Sequence, residues 1–143
     1  MKLTVAPFAS TFVSLALIPV AFLFVHAFIS GWKKKRFHAA SGAVAILWDL
    51  SLSIGYMLYR SFGGAVEGTS MQLTQALTVY FAIHGAVAVI VMILEVAVLG
   101  TGARQVQKKQ KLSWHGRLSK VLFGFWWFAF LSGEIFYIVM YLL

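Results

Sequence analysis

The sequence predicts an all-α integral membrane protein, a four-helix bundle forming a single domain, and its composition and apolar patterning carry that prediction. Of the 143 residues, 61% are hydrophobic and only 11% are charged, with a mean hydropathy of +0.86. A soluble domain of this length could not bury so much apolar surface. Four continuous apolar stretches are each long enough to cross a bilayer as a helix, which takes about 20 residues. None shows the alternation of a barrel strand.

The four predicted spans follow one another along the chain with short connections. The first covers residues 7–29 and ends before the basic run KKKR, and the second covers residues 39–59. The third covers residues 73–99 after a glycine-rich connection, and the fourth covers residues 118–143. The fourth span contains the aromatic run FGFWWFAF, which is more typical of packing and lipid-facing surface than of a cofactor site.

The charges are concentrated in two connections. Ten of the twelve Lys and Arg residues lie between spans one and two or between spans three and four. The positive-inside rule therefore predicts two cytoplasmic basic loops, with both termini and the 61–72 connection outside. The net charge of +8 indicates contact with anionic lipid headgroups rather than with nucleic acid. The ten residues are Lys33, Lys34, Lys35, Arg36, Arg104, Lys108, Lys109, Lys111, Arg117 and Lys120.

Three acidic residues and two histidines fall inside the predicted spans, where such groups are costly and usually face the bundle interior. Helical spacing orders them, because eleven residues cover about three turns. His38 and Asp49 should therefore share one face of span two, and His84 and Glu95 should share one face of span three. The five are His26, Asp49, His84, Glu95 and Glu134.

Depth along the helices divides the polar residues into two sets, at about 1.5 Å per residue. The inner set, near the cytoplasmic surface, contains His26, His38, Glu95 and His115. The outer set contains His84 and Glu134, and Asp49 lies between the two sets.

Three chemistries fit these sets. Histidines facing the interior of a four-helix bundle can hold b-type haem, so the candidate haem ligands are His84, His38, His115 and His26. The inner set of His26, His38, Glu95 and His115 could instead bind copper, iron or zinc. Asp49, Glu95 and Glu134 are candidates for a proton pathway.

The spacing of these residues matches no catalytic signature. HEXXH is absent, and the lack of cysteine rules out CXXCH, disulfides and thiolate metal sites. Histidines at a helix start, such as His38 and His115, are also often simple interfacial residues. Whether the protein is an enzyme stays open at this level, and no catalytic residue is assigned.

The chain resembles the YozB/CtaM-like family of small four-helix prokaryotic membrane proteins over about its last three quarters. The motifs that carry the resemblance are KKKRFHAAS, SLSIGYMLY, YFAIHGAVAV, WHGRLSK and SGEIFYIVMYLL. By this match the family's recurrent histidines correspond to His38, His84 and His115. The family usually has a more basic run after the last histidine, and the match does not extend to His26 or the carboxylates. The resemblance implies a maturation factor or accessory subunit of a haem–copper oxidase.

The expected function is therefore a respiratory-chain protein of the prokaryotic cytoplasmic membrane. It would bind haem, b-type for preference, or copper, and would accompany or assemble a haem–copper oxidase or another respiratory complex. One alternative is a b-type cytochrome that passes electrons between a quinone and an acceptor. A second alternative is a proton-conducting or purely structural subunit; a transporter this small would need to form a homo-oligomer.

Overall fold

The computed structural model describes residues 6–34, 36–63 and 74–143, and four α-helices make up almost all of these segments. The helices are α1 (Phe8–Trp32), α2 (His38–Ser61), α3 (Gln75–Lys108) and α4 (His115–Tyr141). All four are long and apolar enough to cross a membrane. The fold is thus all-α and has the form of a multi-pass membrane protein.

The helix ends differ from the predicted spans mainly at α3. The helix α3 continues nine residues past residue 99, where the third span was predicted to end, through the polar stretch TGARQVQK. It stops at Lys109, whose φ of 51° is left-handed and ends the helical hydrogen-bonding pattern. Thr74 caps the start of α3 by accepting a hydrogen bond of 3.3 Å from the Leu77 amide. The predicted start at Leu73, most of the 61–72 connection and Lys35 lie outside the described residues.

The helices are arranged as two antiparallel hairpins. α1 packs mainly against α2, and α3 packs mainly against α4, with smaller contacts joining α1 to α4 and α2 to α3. The end of the bundle that carries the α1–α2 and α3–α4 connections is called the basic end here, because the lysines and arginines of those connections lie there. The opposite end is called the far end.

The core is an apolar layer near the middle of the bundle. Trp126 is only 2% exposed, and its ring stacks on Phe24 with ring centres 4.6 Å apart and on Phe130 at 5.1 Å. Each helix contributes to this layer, so its packing holds both hairpins together. The buried members are Val20, Ala21, Phe24, Ala45, Ile46, Val91, Val98, Leu122 and Trp126.

Hydrogen bonds between helices secure the far end. The Ser14 hydroxyl donates to Oε2 of Glu134 at 2.6 Å, which joins α1 to α4. The Thr11 and Tyr137 hydroxyls join the same helices at 2.9 Å. The Ser10 and Tyr56 hydroxyls join α1 to α2 at 3.1 Å.

Replacing Ser14 with alanine is expected to lower the free energy of unfolding by about 0.5–2 kcal/mol, the range for hydrogen bonds between membrane helices. The loss arises because the Glu134 carboxyl group stays inside the membrane-spanning part of the bundle but no longer receives the hydrogen bond from Ser14. Unfolding in mixed micelles measures the change. Ser51→Ala is the matched control, since the exposed Ser51 hydroxyl donates only to the Leu47 carbonyl of its own helix, at 2.7 Å. Equal losses in the two variants would contradict the prediction.

Candidate functional site

Two histidines from different hairpins meet at the basic end. His38 is the first residue of α2 and His115 is the first residue of α4, and their ring centres are 6.2 Å apart with the ring planes at 77°. Both side chains are half-buried. The pairing follows from the matching sequence positions of the two residues, each at the point where a basic connection enters a helix.

The Nδ1 atom of each ring is already engaged by a neighbouring helix. His38 Nδ1 lies 2.7 Å from the Ala27 carbonyl oxygen, which can only accept, so Nδ1 carries the proton. His115 Nδ1 lies 2.8 Å from the Thr101 hydroxyl oxygen. That hydroxyl donates its own hydrogen to the Ala97 and Val98 carbonyls, so it accepts from His115. In the neutral form of each ring, Nε2 is therefore the nitrogen with a free lone pair.

His84 shows the same arrangement in the other half of the bundle. Its Nδ1 lies 2.8 Å from the Ser132 hydroxyl oxygen, and that hydroxyl donates to the Ala129 carbonyl at 3.0 Å. Nδ1 of His84 thus also carries the proton and leaves Nε2 free. Metal-binding histidines commonly have this arrangement, because a partner on one nitrogen fixes the tautomer and orients the other nitrogen toward the ligand.

A glycine on the neighbouring helix lies against each of these three rings. A Cβ placed on Gly31 would be 2.6 Å from Cε1 and Nδ1 of His38, which is too close for any side chain. The corresponding distance to Cε1 is 3.3 Å from Gly102 to His115 and 3.2 Å from Gly133 to His84. A side chain at Gly31 would have to displace the His38 ring, whereas one at Gly102 or Gly133 would require the facing ring to move by only a few tenths of an ångström.

The 6.2 Å between the His38 and His115 ring centres matches the length of a site in which both rings bind one ion, and it is also the distance of the edge-to-face contact that the two rings make. With metal–nitrogen bonds of about 2.0–2.1 Å and about 1.2 Å from each nitrogen to its ring centre, a linear site separates the ring centres by roughly 6.4 Å. The observed 6.2 Å is close to that value. Within residues 6–34, 36–63 and 74–143, no group of three or more histidines and carboxylates is arranged to hold a metal ion.

The structure does not assemble the four-residue inner set. His26 is on the exposed side of α1, while its neighbour Ala27 faces the bundle. Glu95 lies with Asp49 in the middle of the bundle rather than with the histidines. His84 lies beside Ser132 and Gly133, away from the other histidines. Of the predicted ligands, only His38 and His115 are brought together.

Asp49 and Glu95 form a carboxyl pair at the centre. Glu95 is 0% exposed and Asp49 is 4% exposed, and the two groups are close enough to interact electrostatically. Trp126 donates its Nε1 hydrogen to Oδ1 of Asp49 at 3.1 Å. No donor in the described part of the chain reaches either oxygen of Glu95.

A cavity of about 410 Å³ extends from Asp49 toward the far end; it is lined by all four helices, and Glu95 lies behind Asp49, outside its lining. Its volume is within the range of small-molecule sites in proteins. Most of its lining is apolar and aromatic, and several ionisable side chains also face it. These are Asp49, Arg60, His84 and Glu134.

Comparisons with protein-family models, with curated proteins and with solved structures gave no match for this chain. The resemblance to the YozB/CtaM-like family therefore rests on the sequence motifs alone. The fold and the site together define the class: a four-helix multi-pass membrane protein with paired histidines at its basic end.

Sequence reasoning missed the residues that orient the histidines. The Ala27 carbonyl, Thr101, Ser132 and the glycines beside the rings have no pattern of their own, because small and hydroxyl residues are common at helix contacts in membranes. Such residues could be sought in a sequence by looking for a glycine or hydroxyl residue at the position opposite a histidine on the adjacent helix.

Proposed function

We propose that this protein binds a transition-metal ion between His38 and His115 and serves as an assembly factor or accessory subunit of a haem–copper oxidase in a prokaryotic cytoplasmic membrane. The observation that carries the metal site is the 6.2 Å separation of two rings whose Nδ1 atoms are both engaged by neighbouring helices. The oxidase partner is supported by the family resemblance.

The donor set favours a single ion over haem. Imidazole nitrogen suits copper, zinc, iron and nickel, and copper(I) readily accepts two nearly linear nitrogen ligands. A haem between the two rings would need space for the whole macrocycle at the basic end. The 410 Å³ cavity lies instead toward the far end, where His84 is the one histidine among its lining residues.

The chain's own residues prepare the site for the ion. The Ala27 carbonyl and the Thr101 hydroxyl hold the two imidazoles in one tautomer and one orientation, so little reorganisation accompanies binding. Thr101 and Ser30 are 5% and 3% exposed, so the hydroxyl that holds His115 and the one that shares the Ala27 carbonyl with His38 are both buried. A copper ion bound there would supply either a transferable cargo or a one-electron centre.

The basic end is expected to face the cytoplasm. Arg36 and Lys120 lie beside the histidine pair in sequence, and positive residues are retained on that side of the membrane. Lys120 also lies 5.4 Å from the centre of the Trp32 ring, as in an interfacial layer of aromatic and basic residues. An ion at this site would therefore exchange with the cytoplasmic side, close to anionic lipid headgroups.

Copper(I) titration of the purified protein in lipid nanodiscs, against a chromophoric competitor, tests the site. His38→Ala and His115→Ala are each expected to weaken binding by at least about 100-fold, since loss of an orienting partner alone costs 10–100-fold. His26→Ala is the matched control, because His26 is exposed on α1 at the same end of the bundle.

Two results would overturn the metal proposal. One is equal affinity in the wild type and the His38→Ala and His115→Ala variants. The other is a stoichiometric Soret absorbance in the protein as isolated, which would support the b-type cytochrome instead. Co-purification of oxidase subunits with the wild type but not with these variants would support the assembly role.

A further inference from the structure

We propose that Asp49 and Glu95 form a site that binds one shared proton and exchanges it with the far end of the bundle through the cavity. This inference goes beyond the metal site and is independent of it, since neither carboxyl group touches His38 or His115. Four features carry it: the burial of the pair, the lack of a compensating cation, the access route and the barrier on the other side.

Burial makes two charges in this place untenable. Glu95 is completely buried. With both carboxyl groups unprotonated, neither Glu95 oxygen has a hydrogen-bond partner in the described segments. A proton on one of the two groups turns their contact into a hydrogen bond. Because an unpaired charge at this depth is costly, the pair is stabilised by holding a proton.

No cation in the described part of the chain compensates the pair. The electrostatic neighbour of Glu95 is Asp49, and Asp49 receives a hydrogen bond from Trp126. α1 contributes only apolar side chains, such as Val20 and Phe24, to the buried core. Two basic side chains line the cavity farther out: Arg60, in the last turn of α2, and His84.

The cavity gives this pair a route to one side. Asp49 lines it, and so does Arg60, eleven residues farther along α2, which corresponds to about 16 Å along the helix axis. The cavity therefore extends from the middle of the bundle to its far end. Arg60, which lines the cavity and is exposed in the last turn of α2, places its outer end at the far end of the bundle.

An apolar plug closes the other side. Three buried residues lie about one helical turn nearer the basic end. Ala45 lies one turn from Asp49 on α2, Val98 one turn from Glu95 on α3, and Leu122 one turn from Trp126 on α4. Phe24 of α1 stacks on Trp126 and completes the layer. The plug separates the carboxyl pair from the histidine pair, so the proton site is open toward the far end and closed toward the basic end.

This arrangement changes the expected role of the predicted proton residues. Asp49 and Glu95 bind the proton, and Glu134 lines the access route while held by Ser14. A one-sided site stores a proton and returns it to the same side. It does not conduct protons across the bundle.

Infrared spectroscopy of the purified protein in nanodiscs tests proton sharing. At neutral pH the wild type is expected to show the carbonyl stretch of one protonated carboxyl group, and Glu95→Gln is expected to lose it. Asp49→Asn should keep the band, shifted in frequency because the hydrogen bond between the two carboxyl groups is gone. Absence of the band in the wild type, or an unchanged band in Glu95→Gln, would overturn the proposal.

The rate at which this band shifts in D₂O tests the route. A Cβ at Gly85 meets no atom within 4 Å and lies in the cavity wall, so Gly85→Phe can fill the cavity without a backbone clash. It is expected to slow exchange about tenfold or more, because the proton would then wait for local opening. Gly85→Leu is the smaller variant if the phenylalanine disturbs folding.

Gly55→Phe is the matched control for the route. Gly55 is exposed on α2, and a Cβ there also meets no atom within 4 Å. Its exchange rate should equal that of the wild type. Equal rates in the Gly85 and Gly55 variants would mean that the proton does not pass through the cavity and would overturn that part of the proposal.

Discussion

Replacing Trp126 with alanine is expected to lower the free energy of unfolding by about 3–5 kcal/mol, the usual cost of removing a large aromatic side chain from a packed core. Trp126 is 2% exposed and stacks on both Phe24 and Phe130. The substitution would leave a void between the two hairpins and remove the donor to Oδ1 of Asp49. Unfolding by steric trapping in bicelles measures the loss.

Two further variants separate the causes. Trp126→Phe keeps most of the ring packing but removes the Nε1 donor, so it should show the smaller part of the loss. Trp48→Ala removes a tryptophan that is 41% exposed on α2 and should change stability by less than about 1 kcal/mol. A Trp126→Ala protein as stable as Trp48→Ala would contradict the central role of this layer.

Replacing Gly31 with alanine is expected to displace the His38 ring and weaken metal binding by about 10–100-fold, the effect of losing an orienting partner. The added Cβ would lie 2.6 Å from two ring atoms, so the ring must turn away from the Ala27 carbonyl. Copper(I) titration measures the affinity, and nitrogen NMR of the histidines reports the loss of the fixed His38 tautomer without any metal.

A graded series of glycine variants controls for helix propensity. A Cβ at Gly102 would lie 3.3 Å from Cε1 of His115, so Gly102→Ala should have a milder effect. A Cβ at Gly124 meets no atom within 4 Å, and Gly124→Ala should bind metal as the wild type does. Since alanine favours helices over glycine, a loss confined to Gly31 and Gly102 would come from the histidines. Equal affinity across the series would contradict this reading of the glycine contacts.

The number and approximate position of the helices could be predicted because each span is a long apolar run bounded by charged or glycine-rich connections. The end of α3 could not, because its last nine residues are mostly polar and include Gly100 and Gly102, which disfavour a helix, and yet they stay helical as far as Lys108. This error also explains the placement of Glu95. From a helix end at 99, Glu95 would lie about one turn from the basic end; because α3 continues to Lys108, Glu95 lies nearer the centre, beside Asp49.

The rotation of each helix about its own axis also limits how well the site could be predicted from the sequence. α1 is apolar around its whole circumference, so its sequence does not show which side faces the bundle. In the structure, Phe24, Ala27 and Ser30 face the bundle interior and His26 is exposed. For α2 and α4 the histidines occupy matching first positions, and that symmetry was enough to predict that His38 and His115 lie at one level.

The thin apolar plug between the two polar layers also determines where a transmembrane voltage acts. If water fills the cavity as far as Asp49, the electric field is concentrated across the few residues of Phe24, Ala45, Val98 and Leu122. A proton arriving at the carboxyl pair would then cross little of the voltage. A charge moved from the histidine pair to the carboxyl pair would cross most of it, at up to about 2.3 kcal/mol per 100 mV. The four side chains that close the bundle core would thus also be the region across which most of the transmembrane voltage drops.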